Sequence, residues 1–195
     1  MVAKMSRILF AFMLVAAVSL LSCTKEEAEE ETTEMAMRTA LAKMNATEGN
    51  EAHGTVTFTE VEGGIKVVAH FEGVPESEHG FHIHEKGDCS SDDGKSAGGH
   101  WNPAGMPHAG RDAEQRHVGD LGNLTANAEG GADAEFVDSM LTFDGDHSII
   151  GKGVILHAGQ DDLTSQPTGA AGARIACGVI ELVEKDADGM SSKTY

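Results

Sequence analysis

The chain has 195 residues, which is enough for one domain of ordinary size with its own core. Its 24 glycines and its low aromatic content of 5% favour a turn-rich β protein over a helical bundle. A formal net charge of −18 argues against nucleic acid as a partner, because a phosphate backbone requires a cationic surface.

Residues 1–22 have the pattern of a bacterial lipoprotein signal peptide. Lys4 and Arg7 precede an apolar run over residues 8–21, which is too short for a membrane-spanning helix. The run ends in the sequence LLSC, which resembles a lipobox, so we expect cleavage to leave Cys23 as a lipidated first residue. The alternative is ordinary signal-peptidase cleavage, but no A-x-A-like site lies just upstream. The pattern predicts a periplasmic protein of the cell envelope, anchored by lipid to a membrane (the outer one in a Gram-negative cell).

Residues 23–37 form an acidic segment that contains six glutamates. Its like charges repel one another and its apolar surface is too small to form a core, so we expect a flexible tether. Docking of this segment onto a partner is the alternative. At the other end of the chain, residues 185–195 are polar and predict a frayed tail.

Strand patterns fill the chain from about Arg38 to residue 184. Residues 54–61 and 65–71 alternate apolar and polar side chains on either side of a Glu-Gly-Gly turn, which predicts a hairpin. Five further strands are predicted, at residues 78–85, 120–127, 132–138, 153–157 and 174–182. Residues 86–116 and 158–173 lack periodicity, and a loop as long as the first of them is usually functional. Short strands separated by turns predict an antiparallel sandwich or barrel.

Seven candidate metal ligands cluster around the longer loop. They are His82, His84, His100, His108, His117, Asp120 and His157. His82 and His84 stand two residues apart, so their imidazoles share one face of a strand. Imidazole and carboxylate ligands suit Cu(II) and Zn(II), and no group of thiolates typical of a structural zinc site accompanies them.

Cys89 and Cys177 remain as an even pair if Cys23 carries lipid. In an exported protein, which meets an oxidising compartment, such a pair predicts a disulfide. Two unrelated free thiols are the alternative.

Three segments resemble the Cu/Zn superoxide dismutase family. Residues 80–89 (GFHIHEKGDC) resemble its copper-binding strand, residues 100–123 its zinc loop, and residues 169–180 (GAAGARIACGVI) its active-site arginine and disulfide segment. The resemblance covers residues 38–184 and implies an all-β fold, an eight-stranded antiparallel Greek-key barrel or sandwich with a long metal-binding loop.

The resemblance also implies roles for individual residues. Copper is expected on His82, His84, His100 and His157, and zinc on His100, His108, His117 and Asp120, one ion of each per subunit. It implies that Asp161 hydrogen-bonds the ligands His82 and His108, that Arg174 positions the substrate anion, and that His100 bridges the two metals and carries a proton. Cys89 and Cys177 match the family's disulfide.

The expected function is dismutation of superoxide to oxygen and hydrogen peroxide, which protects the cell envelope. A non-enzymatic copper-holding or copper-delivery module is the alternative, and an adhesin with a vestigial metal site is a third possibility. The sequence leaves two alternatives for the cation that attracts the substrate anion, because residues 158–173 contain no Lys or Arg. One is Arg174, and the other is a basic residue of the long loop, namely Lys86, Lys95, Arg111 or Arg116. A homodimer and a monomer are both compatible with the sequence.

The remaining histidines receive ordinary interpretations. His79 is expected to be a hydrogen-bonded framework residue. His53, His70 and His147 are expected to be solvated side chains in or near surface strands and turns.

Overall fold

The computed structural model describes residues 37–184. The predicted signal peptide, Cys23, nearly all of the acidic tether and the polar tail over residues 185–195 lie outside the described residues. Within the described range, no helix is both long and apolar enough to cross a membrane.

Residues 37–184 form eight strands, joined in the order β5-β4-β7-β8-β1-β2-β3-β6 with antiparallel pairing throughout. The strands are β1 Thr39–Ala46, β2 His53–Val61, β3 Gly64–Glu72, β4 Glu78–His84, β5 Asp120–Thr125, β6 Ala132–Asp138, β7 Gly153–His157 and β8 Arg174–Leu182. Strands β3 and β4 follow each other in the chain but lie far apart in this order, as a Greek-key path requires. The predicted all-β fold, eight antiparallel strands in a nearly closed barrel, is confirmed.

The predicted hairpin corresponds to β2 and β3. Val61 pairs with Gly64, so only Glu62 and Gly63 form the loop. Gly63 has a φ of 93°, in the left-handed region where a side chain is strained, which explains a glycine at this turn. Alternate side chains of β3, from Ile65 to Phe71, point into the core, as the period of two predicts.

Strands β4 and β7 differ from the hairpin because they are buried on both faces. Phe81 and Ile83 of β4 are fully buried in the hydrophobic core. His82 and His84 alternate with them and therefore face the other side of the strand, where they are equally inaccessible to solvent. The fold thus places polar imidazoles in a second interior, between the barrel wall and the loops that cover it.

The long segment between β4 and β5 is held against the barrel by hydrogen bonds and one covalent link. Ile83 donates its backbone N–H to the Gly119 carbonyl oxygen at 2.9 Å and accepts one from Trp101 at 2.8 Å. A Cβ atom at residue 119 would overlap the Ile83 carbonyl oxygen, so only glycine permits this approach. The Cys89–Cys177 disulfide joins the segment to β8.

Candidate metal centre

Two groups of four buried side chains could each hold a metal ion, and the ligand atoms within each group lie within 4.8 Å of one another. The first group consists of His82, His84, His100 and His157, and the second of His100, His108, His117 and Asp120. The structure thus brings together all seven side chains that the sequence singled out, and His100 belongs to both groups.

In the first group, hydrogen bonds fix the ring nitrogens that point away from the centre. His84 donates Nδ1–H to the Gly98 carbonyl oxygen at 2.9 Å, and His157 donates Nδ1–H to that of Gly172 at 3.3 Å. The Nε2 atoms of these two rings then face each other, 3.4 Å apart. Such outer partners set the tautomer and the orientation of metal-binding imidazoles.

The second group surrounds one oxygen of Asp120. Its Oδ1 atom lies 2.8 Å from His100 Nδ1, 2.9 Å from His108 Nδ1 and 3.2 Å from His117 Nδ1. Around a tetrahedral ion with bonds of about 2.0–2.1 Å, neighbouring ligand atoms lie roughly 3.3 Å apart. Three nitrogens and one carboxylate oxygen at these separations fit zinc.

Two nitrogens of the first group support a metal there. Among the described residues, the buried atoms His82 Nδ1 and His100 Nε2 have no hydrogen-bond partner. Buried polar atoms are almost always paired, so each unpaired nitrogen calls for a missing partner. A set of four imidazole nitrogens suits copper. The two clusters therefore fit a copper site and a zinc site that share the His100 ring.

Burial favours the neutral form that a metal requires in three imidazoles of the first group, those of His82, His84 and His157. It lowers the pKa of His82 to about 4 and that of His157 to about 3, and it holds the pKa of His84 well below its ordinary value. Neighbouring imidazoles, His100 among them, add to the lowering.

In the second group, hydrogen bonds between carboxylates and imidazoles are the main influence on the pKa values of His108 and Asp120 that opposes burial. Burial alone would lower the pKa of His108, but hydrogen bonds to Asp120 and Asp161 outweigh it and raise the pKa to about 9. Burial would raise the pKa values of Asp120 and Asp161. Hydrogen bonds from His100 and His108 instead hold the pKa of Asp120 below its ordinary value, and those from His108 and His82 do the same for Asp161.

Asp161 connects the two groups from behind. Its Oδ2 atom lies 2.7 Å from His82 Nε2 and its Oδ1 atom 2.9 Å from His108 Nε2, as the resemblance implies. Asn123 accepts the Asp161 backbone N–H at 2.8 Å, which fixes the carboxylate further. Gly169 has a φ of 67°, and a Cβ there would overlap Asp161 Oδ1, so this position must stay glycine.

Arg174 begins β8 and is half-buried beside the first group. Its two terminal nitrogens donate to the carbonyl oxygens of Gly94 and Gly98, both at 2.6 Å. The Gly98 carbonyl oxygen is also the acceptor for His84, which ties the guanidinium to one of the four imidazoles. Burial lowers the pKa of Arg174, and the charge of Asp93 opposes that shift.

The structure excludes Arg116 as a cation that attracts anions from solvent. Its side chain is 3% exposed, and Nη2 donates to both carboxylate oxygens of Asp138, at 2.8 and 2.6 Å. Nη1 donates to the carbonyl oxygens of His117, Val118 and Asp120. Sequence reasoning missed this anchor of the second group because Asp138 follows 22 residues later and shares no motif with Arg116.

The other three candidate cations differ in how strongly neighbouring groups already engage their positive charge. Lys95 forms an ion pair with Asp93 at 2.7 Å, and the Arg111 guanidinium lies 4.2 Å from the centre of the Phe136 ring. Lys86 is exposed. Arg174 is thus the cation whose hydrogen bonds connect it to the first group.

His79 is fully buried, as the framework interpretation predicts. It donates Nδ1–H to the His157 carbonyl oxygen at 2.8 Å, and its Nε2 lies 2.7 Å from the Pro75 carbonyl oxygen. His53 and His70 are exposed, whereas His147 is half-buried.

Known proteins give the site its context. The family model described as "Copper/zinc superoxide dismutase (SODC)" matches residues 52–180. An extracellular Cu-Zn superoxide dismutase of Drosophila melanogaster is 46% identical over 143 residues, which are 69% of this chain and 78% of the relative. A Cu-Zn superoxide dismutase of Paramecium bursaria Chlorella virus 1 is 43% identical over 140 residues, 68% and 74% of the two chains.

Two further matches agree. An extracellular Cu-Zn superoxide dismutase of Caenorhabditis elegans is 41% identical over 141 residues, 69% of this chain and 63% of the relative. A crystal structure described as the clock protein EA4 superposes with a TM-score of 0.67 at 40% identity, over 73% of this chain and 93% of that one. The predicted copper and zinc cofactors and the predicted superoxide dismutase activity are confirmed. From the fold, the two metal clusters and these matches it follows that the chain belongs to the copper/zinc superoxide dismutase family.

Proposed function

We propose that dismutation of superoxide by this chain takes place at the shared-histidine centre, with the residue roles that the family resemblance implies. Copper binds to the first group and zinc to the second, at the ligands His82, His84, His100, His157 and His100, His108, His117, Asp120. The observation that carries the proposal is His100, whose Nδ1 lies in the second group while its buried Nε2 has no partner among the described residues.

The reaction converts two superoxide anions and two protons into one oxygen molecule and one hydrogen peroxide molecule. Copper, when bound, supplies the one-electron change that zinc cannot supply. His100 holds a proton at Nε2 and gives it to the substrate as peroxide forms. His100 donates Nδ1–H to Asp120, which fixes the ring and leaves Nε2, the nitrogen that faces the first group, able to take up and release that proton.

Arg174 binds the substrate anion. Two carbonyl oxygens fix its guanidinium, so the planar donors are oriented before the anion arrives. Charge-assisted hydrogen bonds from this fork offset the cost of taking the anion out of water. The His84–Gly98–Arg174 contacts keep the cation next to the first group.

The decisive experiment is a xanthine-oxidase superoxide assay on the full chain, loaded either with copper and zinc or with zinc alone. We expect activity only in the copper-loaded protein. A copper-holding or copper-delivery module would take up the same amount of copper and remain inactive, and that result would refute the enzymatic proposal.

The proposal includes an export and anchoring scheme: signal peptide 1–22, lipidated Cys23 with acidic tether 23–37, catalytic domain 38–184 and tail 185–195. The LLSC sequence supports it, and so does the Cys89–Cys177 disulfide, because disulfides persist in oxidising compartments such as the periplasm. The animal relatives are described as extracellular, which agrees with export. Lipid on Cys23 would anchor the protein, as a bacterial lipoprotein, to a membrane of the cell envelope.

A further inference from the structure

Four polar side chains meet on the outer surface of the barrel, at neighbouring positions of β2, β3 and β6. They are His53, His70, Glu72 and Asp133, here called the outer cluster. His53 is paired with Glu72 across β2 and β3, and His70 with Asp133 across β3 and β6. All four side chains are 58–70% exposed.

The two imidazoles of the outer cluster are each held at one nitrogen. His53 donates Nδ1–H to the Glu51 carbonyl oxygen at 2.8 Å, and His70 Nδ1 lies 2.5 Å from Asp133 Oδ1. A carbonyl or carboxylate at the far nitrogen is the arrangement found behind metal-binding histidines, because it fixes the tautomer and turns the other nitrogen toward the metal.

The opposite nitrogens converge on one carboxylate. His53 Nε2 lies 3.5 Å from Glu72 Oε2, and His70 Nε2 lies 3.7 Å from Glu72 Oε1. When Nδ1 carries the ring proton, each Nε2 presents a lone pair to a negatively charged oxygen, with no proton between them. A cation among the three groups converts this repulsion into attraction.

We propose that the outer cluster is a second kind of metal site, which binds one divalent transition metal and prefers Cu(II). Two imidazole nitrogens with one carboxylate suit Cu(II), Zn(II) and Ni(II), and affinity for such a set is greatest for Cu(II). Each imidazole lies beside a different oxygen of Glu72, so binding requires the exposed side chains to rotate toward one another. The net charge of −18 favours capture of a cation at the surface.

The outer cluster is distinct from the buried centre. Its residues belong to β2, β3 and β6, whereas the buried ligands come from β4, β7 and the segment before β5. Because the outer cluster is exposed, an ion bound there can exchange directly with solvent. The ligands of the buried centre are covered, so an ion bound to them cannot do so. The competing occupant is a proton, since hydrogen bonding to Asp133 raises the pKa of His70.

The test is calorimetric titration of the full chain, already loaded with copper and zinc, with Cu(II) buffered by glycine at about pH 8, above the ordinary histidine pKa of about 6.5. We expect the wild type to bind one more equivalent of Cu(II) than the His53→Gln/His70→Gln variant. The His147→Gln variant is the matched control and should bind as the wild type does. Superoxide dismutase activity should be equal in all three proteins.

Electron paramagnetic resonance identifies the ligands of the additional ion. We expect superhyperfine splitting from two imidazole nitrogens in the wild type and its loss in the double variant. Asp133→Asn should weaken the additional binding by about tenfold, because His70 loses its outer partner. Equal Cu(II) uptake by the wild type and the double variant would overturn the proposal and leave the outer cluster as ion pairs between protonated histidines and carboxylates.

Discussion

Among the described residues, His100 is the one side chain that belongs to both buried groups. A shared ligand couples two sites, whereas a ligand of one site does not. We therefore expect His100→Ala to lower the content of both metals and His84→Ala to lower copper far more than zinc. Metal analysis of the purified variants measures this, with His147→Ala as a control that retains both ions. Identical copper and zinc losses in the two variants would contradict the bridging role.

In the proposed mechanism, attraction of the anion by this acidic chain depends on Arg174. Arg174→Ala should lower the second-order rate and flatten its dependence on ionic strength, while metal content stays close to wild type. Arg174→Lys should recover only part of the loss, because an ammonium keeps the charge without the planar fork that reaches both Gly94 and Gly98. Pulse radiolysis across a salt series measures both quantities.

The same salt series distinguishes Arg174 from exposed rivals. Charge reversal at Lys86 or Lys95 should change the slope of log rate against ionic strength less than Arg174→Ala does. Lys95 is already paired with Asp93, so its net contribution to the field is small. A wild-type rate and slope in Arg174→Ala would remove Arg174 from the mechanism.

At the level of elements, the Arg116–Asp138 pair fastens the second metal group to β6. Asp138→Asn leaves a buried guanidinium without its counter-charge, which typically costs about 3–5 kcal/mol. We expect a loss of this order in the free energy of unfolding, together with weaker zinc retention, because Arg116 also holds the carbonyl oxygens of His117 and Asp120. Urea unfolding and zinc analysis measure the two effects.

Asp144→Asn is a matched control for that experiment. Its carboxylate accepts from Arg38 at the surface, where it is 77% exposed, and an exposed pair contributes little to stability because water and salt screen its charges. Equal destabilisation by the two substitutions would mean that the buried pair is no stronger than a surface one.

The disulfide acts on a different element, the loop between β4 and β5. Cys89 and Cys177 are 88 residues apart, and closing such a loop stabilises a fold by roughly 4–5 kcal/mol in the chain-entropy model. We expect reduction to lower the melting temperature of the metal-free protein much more than that of the metal-loaded protein, since bound metals stabilise the native state independently. Thermal melts with and without reductant in each metal state provide the measurement. Equal shifts would refute the idea.

For the molecule as a whole, the proposed lipid on Cys23 predicts attachment to a membrane. We expect the wild type to partition into the detergent phase and Cys23→Ser into the aqueous phase, because the substitution removes the acylated thiol. Superoxide dismutase activity should be the same in both, since the domain over residues 38–184 contains every proposed metal ligand. Partition of both proteins into the aqueous phase would exclude the lipid anchor.

The sequence by itself determined the features that depend on local spacing. The period of two predicted the β2–β3 hairpin, and the two-residue spacing of His82 and His84 placed both imidazoles on one strand face. Three contiguous segments, residues 80–89, 100–123 and 169–180, carried the resemblance to the family. The sequence did not predict where strand β1 begins and ends. Its alternating stretch is short and forms only part of the strand pattern that begins near Arg38.

Only the tertiary structure decided the contacts between distant segments. Arg116 meets Asp138 inside the protein rather than solvent, and His53 and His70 converge on Glu72. Neither arrangement has a sequence spacing that predicts it, because strand order and loop path determine which side chains become neighbours. Burial then determines what those neighbours do, since the same pair of charges is an anchor in the interior and a weak contact at the surface.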